Sequence, residues 1–335
     1  LGSACPGSPM PSRPAAGVRA LAPFQGGAAW AMLGSDAIRE DPMADGFAHP
    51  EFLVSTDWLA AHLEDPKVVV LDCTTHLIPD PKITYTVKPG REDFEAGHIP
   101  GAQFVDIQAD VSDPDALPMR FMAPQPEAMA AAMRRFGVNR GSRVVLYSTA
   151  NLWWATRVWW LLRMIGFDNA AVLDGGFQAW AREGRPVETG PGRARREPGD
   201  VGVAQVRNLM VGKEAVQAAI GSAAVCTINA LLPQQHSGAG GNSYGRPGHI
   251  AGSVNLPAAQ LLDPATNRML PADALREKFA AIGALDRRVI AYCGGGIAAT
   301  ADALALVMLG HEDVVVYDAS LSEWAKDESL PMAVG

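Results

Sequence analysis

The residues best suited to chemistry in this chain lie around Cys293. An apolar strand pattern leads into this cysteine, and three glycines and an alanine-rich helix pattern follow it, so that residues 289–300 read Val-Ile-Ala-Tyr-Cys-Gly-Gly-Gly-Ile-Ala-Ala-Thr. Glycines let consecutive backbone N–H groups turn toward one point, and the helix adds the positive end of its dipole there. Because such a cup stabilises a sulfur anion, we predict that Cys293 is a nucleophile.

The cup is predicted to consist of the backbone that follows the cysteine. Its N–H groups would stabilise the thiolate and the charge that develops in both steps of a group transfer. A glycine-rich turn between a strand and a helix also binds phosphate without thiol chemistry, so the loop alone leaves that alternative open. The predicted donors are the N–H groups of Gly294, Gly295, Gly296, Ile297 and Ala298.

Three segments occur twice along the chain in the same order. Residues 97–102 (Gly-His-Ile-Pro-Gly-Ala) correspond to residues 248–253 (Gly-His-Ile-Ala-Gly-Ser). Residues 172–180 (Val-Leu-Asp-Gly-Gly-Phe-Gln-Ala-Trp) correspond to residues 316–324 (Val-Tyr-Asp-Ala-Ser-Leu-Ser-Glu-Trp). A glycine turn ahead of an apolar strand lies between these two segments in each half. The pattern indicates two copies of one module.

These features together resemble the tandem rhodanese-type sulfurtransferases, a family that includes thiosulfate and 3-mercaptopyruvate sulfurtransferases. The resemblance covers roughly residues 50–332 and rests on the paired turns, the paired segments that end in Trp and the single cysteine loop. It implies an α/β fold of two rhodanese-like domains, each with a parallel sheet flanked by helices. It also implies that Cys293 accepts a sulfane sulfur as a persulfide and passes it to cyanide or a thiol.

Composition divides the chain into a leader, two domains and a linker. Residues 1–42 are rich in Gly, Ala, Pro and Ser and are predicted to be a disordered leader, with a targeting segment or upstream translated sequence as alternatives. The N-terminal domain is expected at residues 50–185 and the linker at residues 186–203. The C-terminal domain, which carries the cysteine, is expected at residues 204–332.

Strand and helix patterns alternate in both halves, which is typical of parallel sheets covered on both faces. Reactive loops in such sheets follow the carboxyl ends of the strands, and Cys293 has that position. The predicted elements are, in chain order, strand 68–72, helix 124–136, strand 143–147, helix 155–165, strand 170–173, strand 223–228, helix 272–281, strand 288–292, helix 297–309 and strand 313–317.

The N-terminal copy lacks the cysteine and the glycines of the loop. Ser148 stands at the corresponding position, so this domain is predicted to be catalytically silent. Trp153 and Trp154 follow and are expected to pack over the vestigial loop, with ligand stacking as the alternative. Cys73 and Cys226 are predicted to fill the core, since free cysteine is mostly buried.

Two arginines are candidates for binding the anionic end of a sulfur donor. The resemblance implies this role for Arg207, just after the linker, and Arg246 is a second candidate. A guanidinium fork matches the geometry of a carboxylate or a sulfonate. The alternative for Arg207 is an exposed arginine in a salt bridge.

The loop carries neither of the donor signatures that the family implies. His98 and His249 are predicted to bind backbone groups, and for His98 the family suggests a proton relay with a loop serine. That serine position is Gly295, and the basic positions of thiosulfate-type members are Gly294 and Gly295. We therefore predict a modest enzyme that slightly prefers thiosulfate, the donor that needs no proton relay.

Composition also excludes several classes of function. The net charge of −8 argues against nucleic acids and anionic membranes as partners, and no apolar run reaches membrane-spanning length. The four cysteines have no Cys-x-x-Cys spacing, so neither a disulfide framework nor a zinc site is predicted, and no cofactor is expected. The expectation is a cytoplasmic monomer whose partners are a small anionic sulfur donor and a cyanide or thiol acceptor.

Two other functions are alternatives to a sulfurtransferase. Phosphatases with a cysteine loop need an arginine in the spacing Cys-x5-Arg to hold phosphate, and that position is Ala299 here. The second alternative is a non-enzymatic persulfide carrier or interaction module that serves a protein partner. The uncharged loop leaves the second alternative open.

Overall fold

The computed structural model describes residues 46–80, 84–192, 197–241 and 244–335, and all structural statements below concern that part of the chain. The predicted leader at residues 1–42 lies outside the described residues, as does the middle of the predicted linker, residues 193–196.

The first half forms a five-stranded parallel sheet with strand order β1-β7-β6-β2-β5. Its central strands, β2 and β6, are buried along their whole length, as expected for a sheet with helices on both faces. The elements of this half are β1 (Leu53–Val54), α1 (Thr56–His62), β2 (Val68–Asp72), β3 (Thr75–Asp80), β4 (Thr84–Pro89), α2 (Arg91–Ala96), β5 (Gln103–Phe104), α3 (Ile107–Asp110), α4 (Pro126–Arg135), β6 (Arg143–Tyr147), α5 (Trp153–Met164), β7 (Ala170–Leu173) and α6 (Gly176–Arg182).

The second half repeats this sheet strand for strand, in the order β8-β13-β12-β9-β11. The common order confirms the predicted fold class, and the ends of the predicted strands and helices differ from the observed ends by at most two residues. The elements of this half are β8 (Met210–Val211), α7 (Lys213–Ala219), β9 (Val225–Asn229), α8 (Pro233–Ser237), β10 (His249–Ile250), β11 (Val254–Asn255), α9 (Ala272–Ala281), β12 (Arg288–Tyr292), α10 (Ala299–Met308), β13 (Val314–Tyr317), α11 (Ser320–Trp324) and β14 (Met332–Ala333).

An antiparallel hairpin of β3 and β4 was not predicted from the sequence. Its register places Leu77 opposite Val87 and Pro79 opposite Tyr85. Because side chains alternate along a strand, Leu77, Tyr85 and Val87 share one face of the hairpin and Ile78 lies on the other. Tyr85 and Val87 pack against the main apolar core, so this face turns toward the rest of the molecule.

The two halves share one buried apolar cluster. Helix α5 of the first half packs against helix α10 of the second, and the hydroxyls of Thr156 and Thr300 form a buried hydrogen bond of 2.7 Å between them. The helix that follows the Cys293 loop, α10, therefore packs directly against the first half. This arrangement lets side chains of the first half reach a site in the second.

Candidate active site

Cys293 lies where the sequence predicts it, directly after the carboxyl end of β12 and ahead of α10. Its side chain is only 2% exposed, yet it lines a cavity of about 250 Å³. The thiol thus lies in the wall of a partly open cavity and not on the outer surface.

Ser320, at the start of α11, holds the cysteine loop from below. Its hydroxyl accepts the N–H groups of Cys293 at 3.0 Å and Gly296 at 3.1 Å, and it donates to the carbonyl of Tyr317 at 2.7 Å. Ser320 is fully buried with φ of 50°, a left-handed conformation that is costly for a serine. Ser320 keeps this unfavourable backbone conformation while its hydroxyl binds two N–H groups of the loop, which indicates that the loop needs a hydroxyl at this position.

Ser322 fixes the loop at a second point. Both its hydroxyl, at 2.7 Å, and its N–H, at 2.8 Å, donate to the carbonyl of Gly294. With Ser320, it explains why a Ser-Leu-Ser segment follows β13 in the copy that carries the cysteine. The repeat marked this segment, but the sequence alone did not assign it to the loop.

The loop presents fewer donors than the sequence predicts. The N–H of Gly296 is taken by Ser320, so Gly296 is corrected from a cup donor to a backbone hinge. Its φ is 72°, and a Cβ there would overlap the carbonyl of Asp318. In the described residues, no protein acceptor meets the four other predicted N–H groups, those of Gly294, Gly295, Ile297 and Ala298.

Arg157 on α5 reaches across from the first half to the loop. It is fully buried, and its Nη1 donates to the carbonyl of Gly296 at 3.1 Å. Its Nη2 donates to the carbonyl of Phe121 and lies 2.7 Å from the carboxylate of Asp318. The ion pair neutralises the guanidinium, so Arg157 positions the loop and offers little charge to a ligand. Sequence reasoning missed this residue because its partners come from three separate segments.

Two tyrosine hydroxyls lie over the loop. A Cβ on Gly294 would overlap the hydroxyl of Tyr244, so the missing side chain lets this phenol approach. Tyr85, from the hairpin of the other half, forms a hydrogen bond with the side chain of Ser322. Burial and, after it, the charge of Cys293 raise the pKa of both phenols. Both hydroxyls therefore remain protonated at neutral pH and can donate hydrogen bonds.

The rest of the cavity wall is aromatic and aliphatic. Trp153 and Trp154 were expected to cover the loop of their own domain, and they line the cavity of the other domain. Among the described residues, no charged side chain lines this cavity. Besides the loop residues, the lining consists of Leu77, Tyr85, Phe121, Trp153, Trp154, Ala230, Leu231, Leu232, Gln235, Tyr244, Ala258 and Ala259.

The structure does not bring Arg207 to this site, which corrects its predicted role. Both guanidinium nitrogens of Arg207 bind the two carboxylate oxygens of Asp168, and this hydrogen bond raises the pKa of Arg207. The residue is absent from the lining of the cavity. Arg207 forms a salt bridge, as in the alternative, but it is half-buried and not exposed. The bidentate carboxylate satisfies the guanidinium fork that a donor anion would need.

Arg246 is likewise committed to the fold. Its guanidinium donates to the carbonyls of Ala325, Leu330, Trp324 and Asp327 at 2.7–3.1 Å. It does not line the cavity either, so its predicted contact with the donor is corrected to a cap on the C-terminal segment.

The two repeated histidines bind backbone groups, as predicted. The Nδ1 atoms of His98 and His249 each lie 2.8 Å from a carbonyl, that of Phe94 and that of His236. Each histidine ring also stacks on the aromatic ring of the residue whose backbone carbonyl it contacts, with ring centroids 4.0 Å apart for His98 and 3.7 Å apart for His249. His98 does not line the Cys293 cavity; it lies in a separate groove beside Glu188. The geometry therefore gives no support to a proton relay through His98.

The other described cysteines are core residues. Cys73 and Cys226 are buried and unpaired. Burial raises the pKa of both thiols, so neither is suited to act as a nucleophile. Within the described ranges, no group of His, Cys, Asp or Glu side chains could hold a metal ion, and no helix is long and apolar enough to cross a membrane.

Comparison with known proteins agrees with this two-domain architecture and its single cysteine loop. A family model for the rhodanese-like domain matches residues 55–183 and 239–327. The solved structure of SseA from Escherichia coli, described by a rhodanese fold and as a 3-mercaptopyruvate sulfotransferase, superposes with a TM-score of 0.69 at 31% identity, covering 80% of this chain and 98% of that one. The fold and the loop define a rhodanese-type protein.

Relatives extend the match over most of the chain. The 3-mercaptopyruvate sulfurtransferase of Escherichia coli K12 is 32% identical over 294 residues, which cover 84% of this chain and 97% of that protein. The sulfur carrier protein TtuD of Thermus thermophilus is 31% identical over 304 residues, which cover 87% of this chain and 99% of that protein. This chain belongs to the rhodanese-like family of sulfurtransferases.

Proposed function

We propose that the protein moves a sulfane sulfur through a persulfide on Cys293 to a thiol or cyanide acceptor. In the first step, the thiolate attacks the outer sulfur of the donor, the bond to that sulfur breaks, and the donor leaves with the electron pair. In the second step, the acceptor attacks the outer sulfur of the persulfide, and the Cys293 thiolate leaves. The supporting observation is the buried thiol that lines the cavity, beside four N–H groups that meet no acceptor among the described residues.

The chain's own groups divide the work of these steps. The N–H groups of Gly294, Gly295, Ile297 and Ala298 stabilise negative charge on the inner and outer sulfur atoms. The protonated hydroxyl of Tyr244 donates a hydrogen bond to the same sulfur, whereas that of Tyr85 is bound to Ser322. Apolar side chains of the first half form part of the cavity wall and limit the access of water to the thiol, which strengthens these contacts.

The two halves have different tasks in this proposal. The N-terminal domain, proposed at residues 50–185, is silent and supplies one wall of the cavity, whereas the C-terminal domain at residues 204–332 supplies the thiol. The linker between them is proposed at residues 186–203. A reducing compartment such as the cytoplasm suits the reaction, because thiolates and persulfides are lost under oxidising conditions.

Intact-mass spectrometry tests the proposal directly. We expect protein incubated with thiosulfate or with 3-mercaptopyruvate to gain the mass of one sulfur atom, with peptide mapping that assigns it to Cys293. The matched control is Cys226→Ser, which keeps the nucleophile and should load equally. A sulfur adduct on Cys73 or Cys226, or none under any donor, would contradict the proposal.

A second candidate is a persulfide carrier that serves one protein partner. The observation that favours it is the relative named as a sulfur carrier protein, which matches over 99% of its length. A cyanide-linked assay separates the two candidates. An enzyme turns over many times with small acceptors, whereas a dedicated carrier loads once and keeps its sulfur until the partner is added.

A further inference from the structure

Phe121 lies in the wall of the Cys293 cavity with a backbone conformation that phenylalanine seldom adopts. Its φ is 63°, in the left-handed region that favours glycine and is unfavourable for a bulky side chain. The residue is only 1% exposed, and it belongs to the lining of the cavity. Strained residues of this kind persist only where the surrounding structure holds them, and they cluster at functional sites.

Neighbouring groups hold Phe121 in this conformation. Its N–H donates to the side-chain oxygen of Gln108 at 3.1 Å, and its carbonyl accepts a hydrogen bond from Arg157. Two residues further on, the N–H of Ala123 donates to the carboxylate of Asp318 at 2.7 Å. Because both polar backbone groups of Phe121 are bound, its ring is the part of the residue that remains to form the cavity wall.

One guanidinium sets the position of Phe121 relative to the cysteine loop. Arg157 donates through Nη2 to the carbonyl of Phe121 and through Nη1 to the carbonyl of Gly296. The guanidinium is planar and rigid, so the two backbone segments keep a fixed separation. The ring of Phe121 also meets Trp154 edge to face, with centroids 5.4 Å apart, which fixes its orientation. A bulky ring is thus held beside the space that a sulfur donor has to enter.

The size of the cavity makes this ring important for the size of a substrate. The cavity measures about 250 Å³, just below the range of about 300–1,000 Å³ typical of organic ligand sites. A glycine at position 121 would adopt the same φ without strain and would enlarge the space by the volume of a benzyl group. The chain instead combines a strained backbone with a residue that makes the cavity smaller.

We propose that Phe121 is a specificity-determining residue whose ring limits the size of the group attached to the sulfane sulfur of the donor. This inference rests on the proposed function. With a thiosulfonate as donor, the Cys293 thiolate attacks the outer sulfur, the sulfur–sulfur bond of the donor breaks, and a sulfinate leaves with the electron pair. A donor with a compact leaving group reaches Cys293, whereas the ring of Phe121 obstructs a leaving group that carries an aromatic ring.

Two thiosulfonates test this limit, because they share the reacting group and the charge and differ in size. Methanethiosulfonate carries a methyl group, and benzenethiosulfonate carries a phenyl group. The rate at which each adds one sulfur atom to Cys293 is followed by intact mass and divided by its rate with free cysteine, which corrects for intrinsic reactivity. We expect the protein to favour methanethiosulfonate by about tenfold or more, since a pocket discriminates between substrates that differ by a few carbon atoms to this extent.

Phe121→Gly is the variant that tests the ring itself. It keeps the backbone hydrogen bonds with Gln108 and Arg157 and adopts the positive φ without strain. The space left behind matches the ring of the phenyl donor, and apolar cavities of this kind bind aromatic rings, so the preference should fall to within about threefold of equality. If this variant does not fold, Phe121→Leu repeats the test with a smaller change in the same direction.

Phe136→Ala is the matched control. Phe136 is as buried as Phe121 and belongs to the same apolar core, but it does not line the cavity. Its loss should lower the midpoint of urea unfolding without changing the ratio of the two loading rates. An equal change of this ratio in Phe136→Ala and Phe121→Gly would trace the effect to a general loss of packing and would overturn the role of Phe121.

The outcomes separate this inference from the proposed function. Failure of both donors to load Cys293 would overturn the proposed function. Loading at equal normalised rates in the parent protein, or an unchanged preference in Phe121→Gly, would leave sulfur transfer in place and overturn the size limit. A preference for the methyl donor that is lost in Phe121→Gly and kept in Phe136→Ala supports both.

Discussion

The loops after β6 and after β12 occupy the same place in two copies of one domain, and only one of them carries a thiol. Both strands end in a buried tyrosine, Tyr147 and Tyr292, whose hydroxyl accepts the N–H of the isoleucine in the repeated Gly-His-Ile turn, at 3.3 Å for Ile99 and 3.0 Å for Ile250. The frame around the loop is therefore common to both halves. What differs is how each loop uses its backbone.

In the first half the loop satisfies its own donors with side chains. The N–H of Thr149 donates to the hydroxyl of Thr74 at 2.9 Å, and the N–H of Ala150 donates to the hydroxyl of Ser148 at 3.0 Å. In the second half, residues without such side chains leave these donors for a ligand. The shared turn is therefore not sufficient for a sulfur site, because the N–H groups of the loop must also lack internal partners.

The largest effect should follow from exchanging the key residues of the two loops. Cys293→Ser is expected to abolish persulfide formation and sulfur transfer, because no other group replaces the attacking sulfur. Ser148→Cys, its counterpart in the first half, should gain no sulfur, since the nearby N–H of Thr149 is already bonded. Intact-mass loading and a cyanide-linked assay measure both. Sulfur loading at position 148 of the Ser148→Cys variant would show that the turn shared by the two halves is sufficient for a sulfur site.

The next effect concerns the arginine that joins the two halves. Arg157→Met should lower the free energy of unfolding by about 3–5 kcal/mol, because it leaves the carboxylate of Asp318 buried without its partner. Sulfur loading should fall as well, since the carbonyl of Gly296 loses its donor. Arg157→Met combined with Asp318→Asn should recover part of the stability. Urea unfolding and loading rates check both effects.

Arg207→Met is the control for this experiment. It removes a partly buried ion pair with Asp168 outside the cavity, so it should lower stability without changing the loading rate of Cys293. A reduced loading rate with unchanged stability would return Arg207 to the role that the sequence suggested.

The sequence was informative where the determinants are local. The alternation of apolar strands and helices and the glycine-rich loop depend on neighbouring residues, so the sheets and the position of Cys293 were predictable. The hairpin was not, because threonines and prolines interrupt its apolar alternation between Thr75 and Pro89. Because the hairpin was not predicted, the position of Tyr85 in the cavity wall was not predicted either.

The cavity wall could not be predicted because its residues converge only in three dimensions. Phe121, Trp153 and Trp154 belong to the silent domain and meet the thiol only through the packing of α5 against α10. Arg207 illustrates the opposite error. The family resemblance implied that Arg207 binds the donor, whereas in the structure the carboxylate of Asp168, from the other half, binds it.

The third prediction separates two adjacent glycines of the loop. Gly296→Ala should cost about 2–4 kcal/mol, because it combines a positive φ with overlap on the carbonyl of Asp318. Gly295→Ala should change stability little, since its Cβ would lie 3.6 Å from the Ser322 hydroxyl and 3.7 Å from that of Tyr85, which are ordinary contacts. Thermal unfolding of the two variants and the parent protein measures both losses of stability. Equal losses would contradict the hinge role of Gly296.

The smallest effect comes from the strands beside the two loops. Asp72 on β2 pairs with Tyr147 in the sheet, and Asn229 on β9 pairs with Tyr292, so an acid in one half corresponds to an amide in the other. Burial raises the pKa of Asp72 from its usual 3.8 to about 6, against opposing hydrogen bonds from Thr74. The folded protein therefore binds this proton more tightly than the unfolded chain does.

This difference predicts a pH dependence at Asp72 that the corresponding position in the second half, Asn229, lacks. The contribution of Asp72 to stability is fully present below about pH 4 and is lost as the pH rises through about 6, because the ionised carboxylate is disfavoured in the folded state. Asp72→Asn makes the position like Asn229 and removes the titration. The free energy of unfolding of the variant, measured by urea at several pH values, should rise relative to the parent by roughly 2–3 kcal/mol between pH 4 and pH 7, since each unit of pKa shift corresponds to about 1.4 kcal/mol. Parallel pH profiles for the two proteins would show that Asp72 is ionised at no cost, and that the acid and the amide are equivalent in this frame.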